Sequence, residues 1–224
     1  MPTIDLPTYR CRRIAGPLTI DGDLDKPAWR ETPAVTLRLG DGTGMPQQTT
    51  TVRGCWDAAF LYLAFDCVDR DIRATMTKRN SEVWREEAVE AFICPTGDLQ
   101  HYFEFECSPA NVLYDLRVVN PNGEPAGGTF DGGWNCTGWG TAVRVDGRLN
   151  APGFASRGWT SEWAIPLAAL LPQDARIVQA GDEWRANLYR IEQWPIEEYS
   201  AWSPTPGTPF TFHRPRFFGR WLFE

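Results

Sequence analysis

Between Tyr102 and Cys107 the chain alternates without a break. Tyr102, Glu104 and Glu106 take one set of positions, and Phe103, Phe105 and Cys107 the other. A period of two sends successive side chains to opposite faces of an extended backbone, so this run predicts a strand with one face in a core and the other toward solvent. Residues 89–94 precede it as the other arm of a hairpin, with Pro95-Thr96-Gly97-Asp98 at the tip. Residues 49–57 (TTTVRGCWD) and 60–68 (FLYLAFDCV) read as two more strands around a tight Asp57-Ala58-Ala59 turn. Further strands are predicted over 112–119, 139–145, 159–165 and 183–192. Helix is confined to one turn over 25–31 and another over 166–171, each with a proline near its start. The segment 122–133 is Gly-rich and polar and reads as a long loop, a place where function often sits.

Many short strands with little helix specify an all-β fold: a two-sheet antiparallel β-sandwich, jelly-roll or immunoglobulin-like, with only short helical turns. The 18 prolines and 20 glycines are spread along the 224 residues, which suits many turns. That length is enough for a single domain over 1–224 with a sizeable core. Charge narrows the partners. With 22 basic against 29 acidic residues the net charge is −7, the wrong sign for a nucleic-acid binder and no basis for attraction to an anionic membrane. No apolar run approaches the ~20 residues that span a bilayer. Residues 1–13 carry no apolar core of a secretory leader, so the expected compartment is extracellular if a leader has been removed and cytoplasmic otherwise. The six cysteines, Cys11, Cys55, Cys67, Cys94, Cys107 and Cys136, show no CxxC pair and no metal-finger spacing. Their even number permits disulfides, while Cys94 and Cys107 read equally well as small buried residues.

Four runs follow one another in a fixed order. They are Ile20-Asp21-Gly22-Asp23-Leu24-Asp25-Lys26-Pro27-Ala28-Trp29, Trp84-Arg85-Glu86-Glu87-Ala88-Val89-Glu90-Ala91-Phe92, Gly158-Trp159-Thr160-Ser161-Glu162-Trp163-Ala164-Ile165-Pro166, and Phe212-His213-Arg214-Pro215 leading into Phe218-Gly219. Together they resemble the family 9 carbohydrate-binding modules and their relatives among the DOMON-like β-sandwiches, over nearly the whole chain. The resemblance implies non-catalytic binding of a mono- or oligosaccharide, such as a plant cell-wall glucan or xylan fragment. It also implies a slot that clamps a sugar between two aromatic rings. One ring falls on Trp84. The other falls on Phe212, where the family places tryptophan. A carboxylate of that slot falls on Glu90. An arginine of the slot falls on Glu104, a reversal of charge, and an asparagine falls on Pro209. The stacking frame is partly kept and the polar code is rewritten. Such modules usually ride on a glycoside hydrolase, which is an implied partner beside the carbohydrate. Some relatives hold structural calcium, for which Asp21 and Asp23 are the candidates here.

The residues themselves fit a sugar site. Trp84 stands among Lys78, Arg79, Glu82, Arg85, Glu86 and Glu87. Sugar rings offer axial C–H groups to an aromatic face and hydroxyls to flanking polar groups. Trp84 and Phe212 are therefore expected to stack on a pyranose, with Glu90, Glu104, Arg79 and His213 hydrogen-bonding its hydroxyls. Glu90 and Glu104 would equally suit a cation or a basic ligand, or form a solvated strand face. Asp21-Gly22-Asp23 reads as a turn over a core Trp29, or as carboxylates clustered for calcium. Arg190 and Glu192 read as charges paired across a sheet. Three other function classes stand beside sugar binding. A glycoside-processing enzyme would draw a carboxylate pair from Glu86, Glu87, Glu90, Glu104 and Glu106, with one of the pair buried as the acid. A haem-binding DOMON-like domain would need an axial pair from His101, His213, Met45 and Met76 in an apolar cavity. A protein-interaction domain would use an exposed aromatic patch.

Overall fold

The computed structural model describes residues 5–172 and 176–224; residues 1–4, part of the 1–13 segment read for a leader, and 173–175 lie outside the described residues. In chain order the strands are β1 (Thr8–Arg13), β2 (Ala34–Thr36), β3 (Arg38–Leu39), β4 (Thr50–Trp56), β5 (Phe60–Val68), β6 (Ala88–Cys94), β7 (His101–Cys107), β8 (Leu113–Val119), β9 (Thr129–Asp131), β10 (Gly140–Asp146), β11 (Gly158–Pro166), β12 (Glu183–Glu192), β13 (Glu198–Ala201) and β14 (Gly219–Phe223). The two short helices are α1 (Pro27–Glu31) and α2 (Leu167–Leu170). Each begins beside a proline, whose fixed φ and missing N–H suit a helix start.

One sheet runs β9-β8-β7-β6-β12-β14 and the other β10-β11-β5-β4, each with antiparallel neighbours. The all-β sandwich with short helical turns is what the pattern predicts. Strand β1 departs from the purely antiparallel expectation: Thr8–Cys11 pair parallel with β14, and Arg12–Arg13 pair parallel with β4. This strand crosses from one sheet to the other, and both edges it meets run in its own direction.

Between the sheets lie Leu61, Leu63 and Phe65 of β5, Val89, Ala91 and Ile93 of β6, and the indoles of Trp159, Trp163, Trp184 and Trp221. Strand alternation then sends Glu90, Phe92 and Cys94 to the outer face of the first sheet. That face is not solvated as the period-two pattern suggested: Tyr102, Glu104 and Glu106 are 2%, 5% and 1% exposed. A second apolar cluster covers it, in which Phe92, Tyr102, Leu116, Tyr189, Phe212 and Phe218 are packed by Trp84, Tyr114 and Tyr199. The predicted 122–133 loop contributes to this cover, because β9 within it pairs with β8 and sets Phe130 opposite Val118. All six cysteines are buried and free.

Arg190 is fully buried between the sheets. Its guanidinium donates to the Val68 carbonyl (2.7 Å), to Asp69 Oδ2 (3.0 Å) and to the Glu192 carboxylate. Trp159 Nε1 donates to the same Asp69 oxygen (3.0 Å), and the Trp194 N–H to Glu192 Oε1 (3.0 Å). The predicted pairing of Arg190 with Glu192 is therefore part of a larger node that ties β12 to the end of β5 in the opposite sheet.

Glu87 borders this node. Burial pushes its carboxyl up to about 11, with the charges of Glu192 and Asp69 adding to the effect; burial also pushes Glu192 up to about 8 against the pull of Arg190. A carboxyl raised by folding takes up a proton as the chain folds. Its stabilisation is complete below the unfolded value of about 4.3 and drains away as pH rises toward the folded value. Asp21, Asp146 and Asp182, held low chiefly by Lys26, Arg157 and Arg176, act in the opposite sense and lose their contribution as pH falls below about 4. Thermal unfolding followed across pH should therefore show Tm highest near about pH 5 and falling toward about pH 8. A maximum at the alkaline end would mean that these carboxyls fold ionised.

Candidate functional site

The outer face of the first sheet holds a cleft of 710 Å3 lined by residues of β6, β7, β8 and β12 and by the segment around 210–213. A 3-10 turn, Val83–Arg85, delivers its first wall: Val83 is buried as the anchor, and Trp84 projects half-buried against Tyr114, ring centroids 4.6 Å apart at 60°. The floor comes from paired strands. Glu90 and Glu106 are direct cross-strand partners and Glu104 lies opposite Phe92, so all three glutamates share the outer face. One oxygen from each lies within 4.8 Å of the others. Burial drives the Glu90 and Glu106 carboxyls well above the ordinary range, and the adjacent carboxylates add to it.

The opposite wall is aromatic. Phe212 lies flat on Tyr189 (4.1 Å, 18°) and is only 8% exposed. Phe210 meets Phe212 edge-on (5.4 Å, 81°), borders Tyr199 (5.6 Å) and is 36% exposed. Gly40 makes room for it, since a Cβ there would come 2.5 Å from the Phe210 ring. His213 completes the site. Its Nδ1 is 2.9 Å from the Tyr102 hydroxyl and its Nε2 is 3.8 Å from Glu104 Oε2. The imidazole is flanked by Phe92 (5.0 Å) and Phe130 (4.9 Å). Rings on two walls over a carboxylate floor can hold a flat, hydroxylated ligand by stacking and hydrogen bonding.

Residues 20–221 match the family described as carbohydrate family 9 binding domain-like. The chain belongs to that family. A fungal relative, an "Extracellular protein" of Arthroderma benhamiae, is 33% identical over 190 residues, which are 80% of each chain. Three solved structures share the fold. A Bacteroides uniformis protein described as a candidate carbohydrate-binding protein superposes with a TM-score of 0.74 at 19% identity, over 98% of this chain and all of that one. A family 9 carbohydrate-binding module from Caldicellulosiruptor kristjanssonii in complex with cellotriose gives 0.66 at 14% identity, covering 97% and 94% of the two chains. The module from that organism in complex with glucose gives 0.62, again at 14% identity, covering 97% and 95%.

In this family 9 domain the cleft brings together Trp84, Phe212, Glu90, Glu104 and His213. Arg79 is not among them. Its guanidinium binds Asp115 and Asn135 Oδ1 (2.7 Å) and lies over the Trp139 ring. Asp115 sits between Tyr114 and Leu116, which line the cleft, so strand alternation carries Asp115 and its arginine to the other side of β8. Asp21 and Asp23, the calcium candidates, stand apart from the cleft and beside two basic side chains. Lys26 Nζ is 2.8 Å from Asp21, and Arg144 is 3.4 Å from Asp21 and 2.9 Å from Asp23. The Asp21 and Asp23 carboxylates also accept the backbone N–H groups of Asp23 and Asp25, at 3.0 and 2.9 Å. These cations and turn hydrogen bonds already satisfy the carboxylates, and the buried Glu162 gathers the Asp21 and Gly22 amides, Lys26 and Trp29 behind them.

Met45 is 53% exposed, and His101 pairs with Asp98 at the far end of its hairpin. Met76 packs against the cluster of Val83, Ala88 and Val112. None of Met45, Met76 and His101 lines the cleft, so the haem alternative has no axial partner for His213 among the cleft residues. Among the described residues, those that can hold a metal by three carboxylates are Asp69, Glu87 and Glu192, and Glu90, Glu104 and Glu106. Sequence reasoning offered Glu106 only as a carboxylate of the enzyme alternative and not as a sugar-binding residue, although it shares a strand face with Glu104. It missed Tyr114, Phe130, Tyr199 and Phe210, whose meeting depends on contacts between distant segments.

Proposed function

We propose that this family 9 domain binds a mono- or oligosaccharide, such as a glucan or xylan fragment, in the 710 Å3 cleft and does not transform it. The observation that carries the reading is the pair of aromatic walls, Trp84 with Tyr114 and Phe210 with Tyr199, facing one another across a floor of buried carboxyls. A cleft of this size falls within the range that holds small ligands. Cellotriose and glucose bound to Caldicellulosiruptor modules of the same fold support it. A second hollow of 520 Å3 shares Tyr199 and Phe210 with the first, which gives a longer chain room to continue past Phe210.

Glu90 and Glu104 bond the sugar hydroxyls, with Glu106 beside them and His213 donating from the rim. The match to a carbohydrate-binding family supports the non-catalytic reading. A glycoside hydrolase acting on the same polysaccharide is the partner such a domain serves, and the name of the Arthroderma relative favours an extracellular setting.

Of the two phenylalanines, Phe210 offers the free face. Phe210→Ala should weaken sugar binding about five- to tenfold, the loss of one stacking ring, with a smaller fall in Tm than Phe212→Ala because its ring is the more exposed. Phe212→Ala should lower Tm, because it empties a packed position against Tyr189. The test is tryptophan fluorescence titration with glucose, cello-oligosaccharides and xylo-oligosaccharides. A saturable shift with one class, weakened by Phe210→Ala, supports the reading. No response to any of them would end it.

A further inference from the structure

Among the described residues there are two buried groups of three carboxylates, and they differ in one respect. Asp69 and Glu192 are neutralised by the guanidinium of Arg190, and Glu87 Oε1 accepts the Arg73 N–H (3.2 Å). Glu90, Glu104 and Glu106 have no such partner: neither lysine nor arginine lines their cleft, Glu82 adds a fourth carboxylate, and Arg79 is turned away toward Asp115. The nearest basic nitrogen in an ion pair with this group is His213 Nε2, 3.8 Å from Glu104 Oε2. Glu104 Oε2 and Glu106 Oε2 are buried, and no hydrogen bond reaches either. Buried anionic oxygens without donors are costly unless a cation or a proton meets them.

The geometry points to a divalent cation of the calcium type held by Glu90, Glu104 and Glu106 at the floor of the cleft. Oxygens that bond one ion at about 2.4 Å must lie within about 4.8 Å of one another, and one oxygen from each of the three glutamates meets that limit. The donor set is wholly carboxylate, which suits a hard cation. Calcium takes six to eight oxygens in loose geometry and so keeps positions free toward the cleft, where magnesium would hold its own waters in a strict octahedron. On the reading of the cleft as a sugar site, those free positions accept two neighbouring hydroxyls of the ring stacked on Trp84. The cation supplies there the positive charge that the walls lack.

The experiment is calorimetric titration of the full chain, stripped with a chelator, with calcium and no sugar present. The expected result is saturable uptake of one ion by the wild type and by Glu87→Gln, which alters only the other acidic group. Glu106→Gln and Glu104→Gln should each weaken that uptake at least about tenfold, since each removes one of three charged ligands. Absence of saturable uptake, or uptake that neither Glu104→Gln nor Glu106→Gln changes, overturns the inference. The two readings fail separately. Sugar titrations with and without calcium then follow: uptake of calcium with no sugar response leaves the cation site standing and removes the sugar reading. Sugar binding with no calcium uptake does the reverse, and tighter binding of glucosamine than of glucose in chelator would assign the carboxylates to an ammonium group.

Discussion

Arg190→Met is expected to cost about 3–5 kcal/mol of unfolding free energy, the loss typical of removing one partner from a buried ion pair. The substituted side chain fills much of the same volume, so the loss comes from charge. Asp69 and Glu192 are left in the interior without the guanidinium that now bonds both. The Val68 carbonyl loses its donor as well. Chemical denaturation at neutral pH measures the loss. One feature separates this cause from simple mispacking. Adding Asp69→Asn should recover part of the stability, because the second variant removes a charge left without its partner. A loss below about 1 kcal/mol would show that water or protons already satisfy these carboxylates, and that the node does not hold the two sheets together.

Trp84→Ala should abolish measurable sugar binding, with affinity falling at least about tenfold, and should leave the fold intact. The indole is half-buried, and its one ring contact is Tyr114. The turn that carries it is anchored by the buried Val83, which the substitution does not touch. The loss is one face of the stacking frame, and no arginine or lysine in the cleft stands ready to compensate. Fluorescence and calorimetric titration against the responding sugar would measure it, with circular dichroism to follow the fold. If Trp84→Ala unfolds the protein, Trp84 is a packing residue and the cleft loses its first wall. Unchanged affinity would move the stacking to Phe210 and Tyr199 alone.

The strands were legible because their signal is local. The runs predicted over 183–192, 60–68 and 89–94 appear as Glu183–Glu192, Phe60–Val68 and Ala88–Cys94. Each alternates or runs apolar within its own length, and each ends at a proline, a glycine or an aspartate that turns the chain. Strand β1 was missed for the converse reason. Thr8–Arg13 carries four polar or charged residues, and it is a strand because the edges of β14 and β4 accept its backbone hydrogen bonds. The family resemblance placed Trp84, Glu90 and the aromatic region near Phe212, and the cleft contains all of them.

Local patterning alone specifies strands β4–β8 and β10–β12, the two-sheet architecture and the side of each of those strands on which a given residue lies. These follow from a period of two and from turn chemistry, both read over a few residues. The tertiary structure decided which outward face is covered. A strand's pattern says which side a glutamate takes, whereas what lies beyond that side is set by segments far along the chain. Glu104 is buried because the region of Phe210 to His213 folds over it. Phe210 rather than Phe212 presents the open ring because Tyr189, on β12, occupies the face of the other. Asp21 and Asp23 are ion-paired because Arg144, more than a hundred residues later, comes to rest beside them. Charge balance in an interior is a property of neighbours in space, and those neighbours exist only once both sheets have closed.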